Sequence, residues 1–221
     1  MANRTKRSIA VIGLGAFGGT VASGLAAFGN VVLGIDRDEQ AVGKLAETLH
    51  EAVIADARDE DALREAGVGE VDLALVAIGN NLEASIVSTM NAQRLGVPCI
   101  WVEAGSRTHQ RILAKLGVDR VILPEHEIGQ HIAEMAHNPL IRHSVGLGNG
   151  FFVVDFKVPP ELEGRSLADP ALLERFELRC LGLMRETTYL EHGGEEVRLE
   201  TDDKLLLLGR REHLRTFGER L

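Results

Sequence analysis

The chain is poor in aromatic residues: Phe, Trp and Tyr make up only 4 % of its 221 residues. Base-stacking surfaces for single-stranded nucleic acid are therefore not expected, because such surfaces are built from exposed rings. Positive charge is in deficit as well. Lys and Arg total 24 against 33 Asp and Glu, a formal net charge of −9, and no tail or basic patch stands out. General nucleic-acid binding is excluded on that ground, since phosphate contacts dominate its affinity. The two cysteines, Cys99 and Cys180, lie far apart in apolar segments with no CxxC spacing. Buried thiols are expected, and neither a dithiol nor a Cys-based zinc site has support. No apolar run approaches the roughly 20 residues of a bilayer span. Ile9–Ile12 is cut short by Gly13, too early for a signal-peptide core, and a cytoplasmic protein is expected. What the chain does have is an ordinary globular content of hydrophobic residues, 45 %, too high for disorder.

Strand-like and helix-like runs alternate through the first part. Strands are expected at Ser8–Ile12, Val31–Ile35, Glu51–Ala55, Val71–Ile78, Pro98–Val102 and Arg120–Leu123. Helices are expected at Ala16–Phe28, Asp38–Leu49, Glu60–Ala66, Asn81–Leu95, Arg107–Leu116 and Glu125–His137. Strict alternation with Val/Ile-rich strands predicts an α/β fold, a Rossmann-type doubly wound parallel sheet covered on both faces. Asn138-Pro139 breaks the last helix. The glycines of Leu140–Gly150 read as a linker, so the expected division is 1–137, a linker at 138–150, and a small α+β module at 151–221. That module is expected to hold strands at Phe151–Val158 and Phe176–Met184, a short helix at Pro170–Glu174 and a turn at Gly193-Gly194. A hairpin of Val197–Glu200 with Lys204–Leu208 and a terminal helix from Glu212 complete it.

Gly13-Leu14-Gly15-Ala16-Phe17-Gly18 follows a strand and opens a helix, the GxGxxG fingerprint in the context it requires. Gly13 permits the tight turn, Gly15 lets phosphate oxygens approach the backbone, and Gly18 lets the helix pack on the sheet. Backbone amides at the helix start then face the phosphates. Asp36 ends the second strand, 18 residues after Gly18, where a carboxylate accepts hydrogen bonds from a ribose diol and repels a 2′-phosphate, so NADP is disfavoured. Arg37 either stacks on the adenine edge or is solvated. Asp56-Ala57 and Ala77-Ile78-Gly79-Asn80 lie at strand ends on the same carboxyl edge and are expected to line the adenine and ribose pocket. Asp56 caps the following helix on the alternative reading.

His126, His131 and His137 invite a zinc assignment, but a helix turns about 140° over five residues, so His126 and His131 diverge. His126 and His137 share a face roughly 16 Å apart. A solvated or interface face is expected instead. The stripe Ile128, Ile132, Met135, Ala136 on that helix is expected to pack against a partner.

Taken together, the stretches IAVIGLGAFGGTVASGL, VVLGIDRDE, AVIADARDEDAL, LALVAIGNNLEASI, PCIWVEAGS and GVDRVILPEHEIGQHIA resemble a known family. It is that of the cytosolic regulatory subunits of bacterial Ktr/Trk potassium uptake systems, built from RCK (regulator of potassium conductance) domains. LEGRSL at Leu162–Leu167 and TDDKLLLLG at Thr201–Gly209 look like that family's C-terminal module. The resemblance implies homodimers that assemble into an octameric ring beneath a membrane-embedded potassium-translocating subunit. It also implies clefts that bind NAD(H), ADP, AMP or ATP, and a C-terminal module that in some members binds a cyclic dinucleotide. Glu125 matches an acidic residue that can hold Mg²⁺ or Ca²⁺ between subunits; the alternative is that it simply starts a helix, where an acidic side chain is favoured. Two positions depart from the family. Ala16 stands where members usually carry Arg, and Glu103 where they often carry Lys. Both changes remove attraction for a triphosphate, so a shift away from ATP is expected, with Arg107 the one nearby replacement cation. Set against this regulator are an NAD-dependent oxidoreductase, for which about 70 residues leave too little substrate domain and no acid/base pair, and a free-standing nucleotide sensor.

Overall fold

The computed structural model describes residues 6–138, 140–167, 176–191 and 197–220. Two compact units divide the chain, Met1–His126 and Glu127–Leu221. The first is built on β1 (Ser8–Ile12), β2 (Val31–Asp36), β3 (Glu51–Ile54), β4 (Leu73–Val76), β5 (Ile100–Glu103) and β6 (Arg120–Ile122). All pairings are parallel, in the order β3-β2-β1-β4-β5-β6. Between the strands run α1 (Ala16–Ala27), α2 (Glu39–Leu45), α3 (Glu60–Glu65), α4 (Leu82–Arg94) and α5 (Arg107–Lys115), and α6 (Pro124–His137) follows β6.

Successive strand side chains point to opposite faces. Ala10, Ile12, Leu33, Ile35, Ala74 and Val76 enter one buried cluster, and Ile9, Val11, Val32, Leu73 and Leu75 the other. Burial on both faces is why these strands read as unbroken apolar runs. β4 is shorter than expected. Ala77 and Ile78 leave the ladder to line the cleft described below, and the Asp72 carboxylate accepts hydrogen bonds from the Ser8 amide (2.8 Å) and hydroxyl (3.1 Å).

The second unit is an antiparallel sheet of β7 (Ile141–Gly148), β8 (Phe151–Lys157), β9 (Arg179–Arg185), β10 (Thr188–Glu191) and β11 (Lys204–Arg210), ordered β10-β9-β11-β8-β7. Helix α7 (Arg211–Glu219) brings Leu214 and Phe217 to its core, with Phe217 5.0 Å from Phe156 between ring centroids. Two expectations are corrected here. The supposed linker at Leu140–Gly150 is largely β7, an edge strand joined to β8 through the tight turn at Asn149. Its mostly exposed, glycine-rich sequence carries no burial pattern, because it is held by backbone pairing on one side only. The hairpin of Val197–Glu200 with Lys204–Leu208 is absent: β11 pairs with β8 and β9, while Ser166 bridges Arg198. The turn between β9 and β10 falls at Glu186, in the left-handed region, and had no glycine to announce it. The helix expected at Pro170–Glu174 and the Gly193-Gly194 turn lie outside the described residues.

Asp203 fixes the approach to β11. Its buried carboxylate accepts from Arg185 Nε (2.9 Å) and Nη2 (2.8 Å) and from the Glu200 amide (2.8 Å). Truncation leaves the Glu200 amide without its acceptor and the guanidinium with only the Arg198 carbonyl and the Glu200 carboxylate among the described residues. Asp203→Ala is expected to cost about 3 kcal/mol, read by hydrogen exchange as lost amide protection in β9 and β11 with β1–β6 unchanged.

Candidate functional site

The strand order reverses between β1 and β4, and the crevice outside their carboxyl ends is where ligands settle in such sheets. A cleft of about 510 Å³ occupies that position, within the range of small-molecule sites. Gly13, Gly15, Ala16, Phe17, Gly18, Asp36, Arg37, Asp56, Ala57, Ala77, Ile78, Gly79, Asn80, Glu103 and Glu125 all line it.

The glycine motif builds the floor. Gly13 has φ +99°, and a Cβ there would lie 2.4 Å from the Ala77 carbonyl oxygen. A Cβ on Gly18 would lie 1.9 Å from the Gly13 carbonyl oxygen. Both positions therefore exclude any side chain. Gly15 is different: nothing stands within 4 Å of a Cβ placed on it. Its lack of a side chain serves the open cleft rather than the fold. Helices α2, α3, α4 and α5 are capped by the side chains of Asp38, Asp59, Asn81 and Ser106, whereas Gly15 gives α1 no side-chain cap. The first amides of α1 are left for an anion.

Asp36 sits beside them. One carboxylate oxygen accepts from the Leu14 amide (2.6 Å) and the other from the Asp38 amide (2.9 Å). Asp56 does not cap α3; Asp59 does, accepting from the amides of Asp61 (2.9 Å) and Ala62 (3.3 Å). Asp56 instead grips Arg58, whose Nε and Nη2 lie 3.0 and 2.5 Å from its oxygens. The Arg58 side chain and amide hold the Asp56 carboxyl down at about 2. The loop carrying this pair is pinned to α4 by Asn91, whose Nδ2 donates to the carbonyls of Ala57 (3.1 Å) and Arg58 (3.0 Å). Sequence reasoning missed Arg58 and Asn91. The Asp-x-Arg spacing was the available signal for the first; nothing in the sequence marks the second.

At the other end, burial pushes the Glu103 carboxyl up, Glu125 pushes it further, and the Gly79 amide partly offsets both. Arg107 is not part of the cleft lining; its Nη2 lies 3.0 Å from His126 Nε2. Glu125 stands with Glu103 at this end of the cleft, and among the described residues of the single chain no three His, Cys, Asp or Glu side chains converge.

A family model, the TrkA-N domain, matches residues 9–124, the whole cleft-bearing sheet. The chain belongs to the TrkA-N domain family. It is 31 % identical to the Ktr system potassium uptake protein A of Vibrio alginolyticus, over 94 % of each chain. It is 29 % identical to the Ktr system potassium uptake protein A of Bacillus subtilis, over 96 % of this chain and 95 % of the other. Among solved structures, the GsuK channel shares its fold at a TM-score of 0.67 and 15 % identity, covering 97 % of this chain but 39 % of the channel chain. The parallel sheet followed by a smaller antiparallel module is thus an architecture shared with the GsuK channel.

The glycines of this TrkA-N cleft separate by experiment. Gly15→Val is expected to leave the melting temperature within about 2 °C while filling the phosphate position, whereas Gly18→Val is expected to cost several kcal/mol through backbone collision; thermal melts of the two variants compare them. The Asp56 shift gives a pH dependence. A carboxylate held below its unfolded value contributes above that value, and the contribution fades as pH falls through about 2. Carbon-13 titration of Asp56 is expected to show a midpoint near 2, rising into the ordinary carboxylate range in Arg58→Ala.

Proposed function

We propose that the chain is the nucleotide-sensing cytosolic regulatory subunit of a membrane potassium transporter or channel. One observation carries the reading. A chain of the TrkA-N family, similar over nearly its whole length to potassium uptake proteins A, keeps a cleft lined by both the uncapped start of α1 and the Asp36 carboxylate. In this reading the amides take a diphosphate. Asp36 takes the ribose diol through its remaining lone pairs, a carboxylate having about four. The base lies between the Asp56–Arg58 loop and the small residues Ala84 and Ser88 of α4. The ligand is an adenine nucleotide, NAD(H), ADP, AMP or ATP. The GsuK channel bound to NAD, at a TM-score of 0.63 and 14 % identity, is a solved protein of this fold with such a ligand.

The mechanism is a shift between conformations without covalent chemistry. A nucleotide moves the equilibrium by the difference in its affinity for the two states and by nothing else. The assembly is a homodimer built up to an octameric ring against a Ktr/Trk-type membrane subunit, which supplies the pore. Ile128 and Ile132, 58 % and 53 % exposed on α6, offer an apolar stripe for pairing. In this reading the chain works at the inner face of the cell membrane.

Asp36→Ala is expected to weaken adenine-nucleotide binding about tenfold, the worth of one charge-assisted hydrogen bond, in isothermal titration. Potassium flux through a co-reconstituted Ktr-type membrane subunit is expected to respond to nucleotide with the native chain and not with Gly15→Val. Flux indifferent to every adenine nucleotide, or steady turnover of NADH with carbonyl substrates, removes the proposal.

A further inference from the structure

The two basic side chains that line the cleft, Arg37 and Arg58, both follow the carboxyl ends of β2 and β3. On the β4–β5 side stand Glu103 and Glu125, with no basic residue among the described lining residues there. Glu103 is only 7 % exposed. It is also packed in place: a Cβ on Gly79 would fall 2.8 Å from its Cδ and Oε1. Gly79 in turn is backed by Gly105, where a Cβ would fall 2.1 Å from the Gly79 carbonyl oxygen. Two glycines thus let a carboxylate lie against the end of β4, and no ion pair compensates it among the described residues.

We infer that Glu103 sets the ligand class of the cleft: a nucleotide whose group beyond the diphosphate is neutral or cationic and donates hydrogen bonds, as the second nucleoside of a dinucleotide does, and not a third phosphate. The inference rests on the nucleotide reading above. In sheets of this order a dinucleotide spans the crevice where the strand order reverses. With adenosine at Asp36 and the diphosphate over α1, whatever comes next lies over β4 and β5. A buried carboxylate there, offset only in part by the Gly79 amide, is costly until further donors reach it. The hydroxyls of a second ribose, or a carboxamide N–H, supply them. A γ-phosphate supplies none and adds like charge where water screens it poorly.

Isothermal titration of the full-length protein with NAD⁺, ATP and AMP, with and without Mg²⁺, tests this on the native chain, Glu103→Gln and Glu103→Lys. The native chain is expected to bind NAD⁺ at least about tenfold tighter than ATP under both conditions, a difference of about 1.4 kcal/mol. Glu103→Gln is expected to narrow that ratio and Glu103→Lys to reverse it, while AMP, which has no distal group, binds all three alike. Loss of AMP binding in Glu103→Lys alone marks a misfolded variant, and Glu103→Gln then decides. ATP binding the native chain as tightly as NAD⁺, with Mg²⁺ or without, overturns the inference, as does an NAD⁺-to-ATP ratio that neither variant moves. A native chain that binds none of the three removes the nucleotide reading itself, and the inference with it.

Discussion

The closest approach in the first unit is that of α1 to the ends of β1 and β4. With hydrogen alone on the α-carbon of Gly18, the helix sits against the Gly13 carbonyl and the Ala77 side chain. A methyl group there would push α1 off the sheet and carry its first turn away from the crevice. Position matters because the amides of that turn have no side chain to satisfy them, unlike those of α2 to α5. An uncapped helix end is a small cost to stability, about 1 kcal/mol, held at the one place in the sheet where two neighbouring crossovers part and leave room for a ligand.

The rest of the cleft is organised before any ligand arrives. Asp36 joins the glycine turn to the end of β2 through both oxygens. Asn91 bolts the third strand's loop to α4, and Arg58 is already engaged by Asp56. Groups held this way lose little freedom on binding, and ordering cost is what separates a useful contact from a neutral one. The exposed Asp56–Arg58 pair adds little to stability in itself. Its effect is to fix a cation at the β2–β3 side of the cleft, so that the two ends differ in the groups they offer.

How far this was legible depended on whether a residue's role leaves a periodic trace. The inner strands β1 and β4 did, because both their faces are buried and apolar residues follow one another along them. The glycine motif and Asp36 were legible because their spacing is dictated by the geometry of one turn and one strand. β7 was not, since an edge strand with four exposed residues in succession to its glycine end looks like any glycine-rich connection. The partners of β11 were hidden for a related reason. Antiparallel neighbours far apart in sequence share a face and a register but no local signature, so proximity along the chain favoured the wrong hairpin. Asn91 shows the limit most clearly: a buried amide on a helix has no pattern until the loop it holds is in place.

A regulator needs more than a cleft, because occupancy must be felt elsewhere. α6 is the helix on which the cleft lining and an exposed apolar stripe follow one another. Glu125, in its first turn, lines the nucleotide cleft, and Ile128 and Ile132 follow on the same helix with their side chains exposed. At 1.5 Å of rise per residue, Ile128 lies roughly 4.5 Å along the axis from Glu125, and Ile132 about one turn beyond. Residues three and four apart on a helix are neighbours on its surface. The cleft-lining Glu125 and the exposed Ile128 and Ile132 thus follow one another along one helix. The size of any response is bounded by how differently a ligand binds the two states.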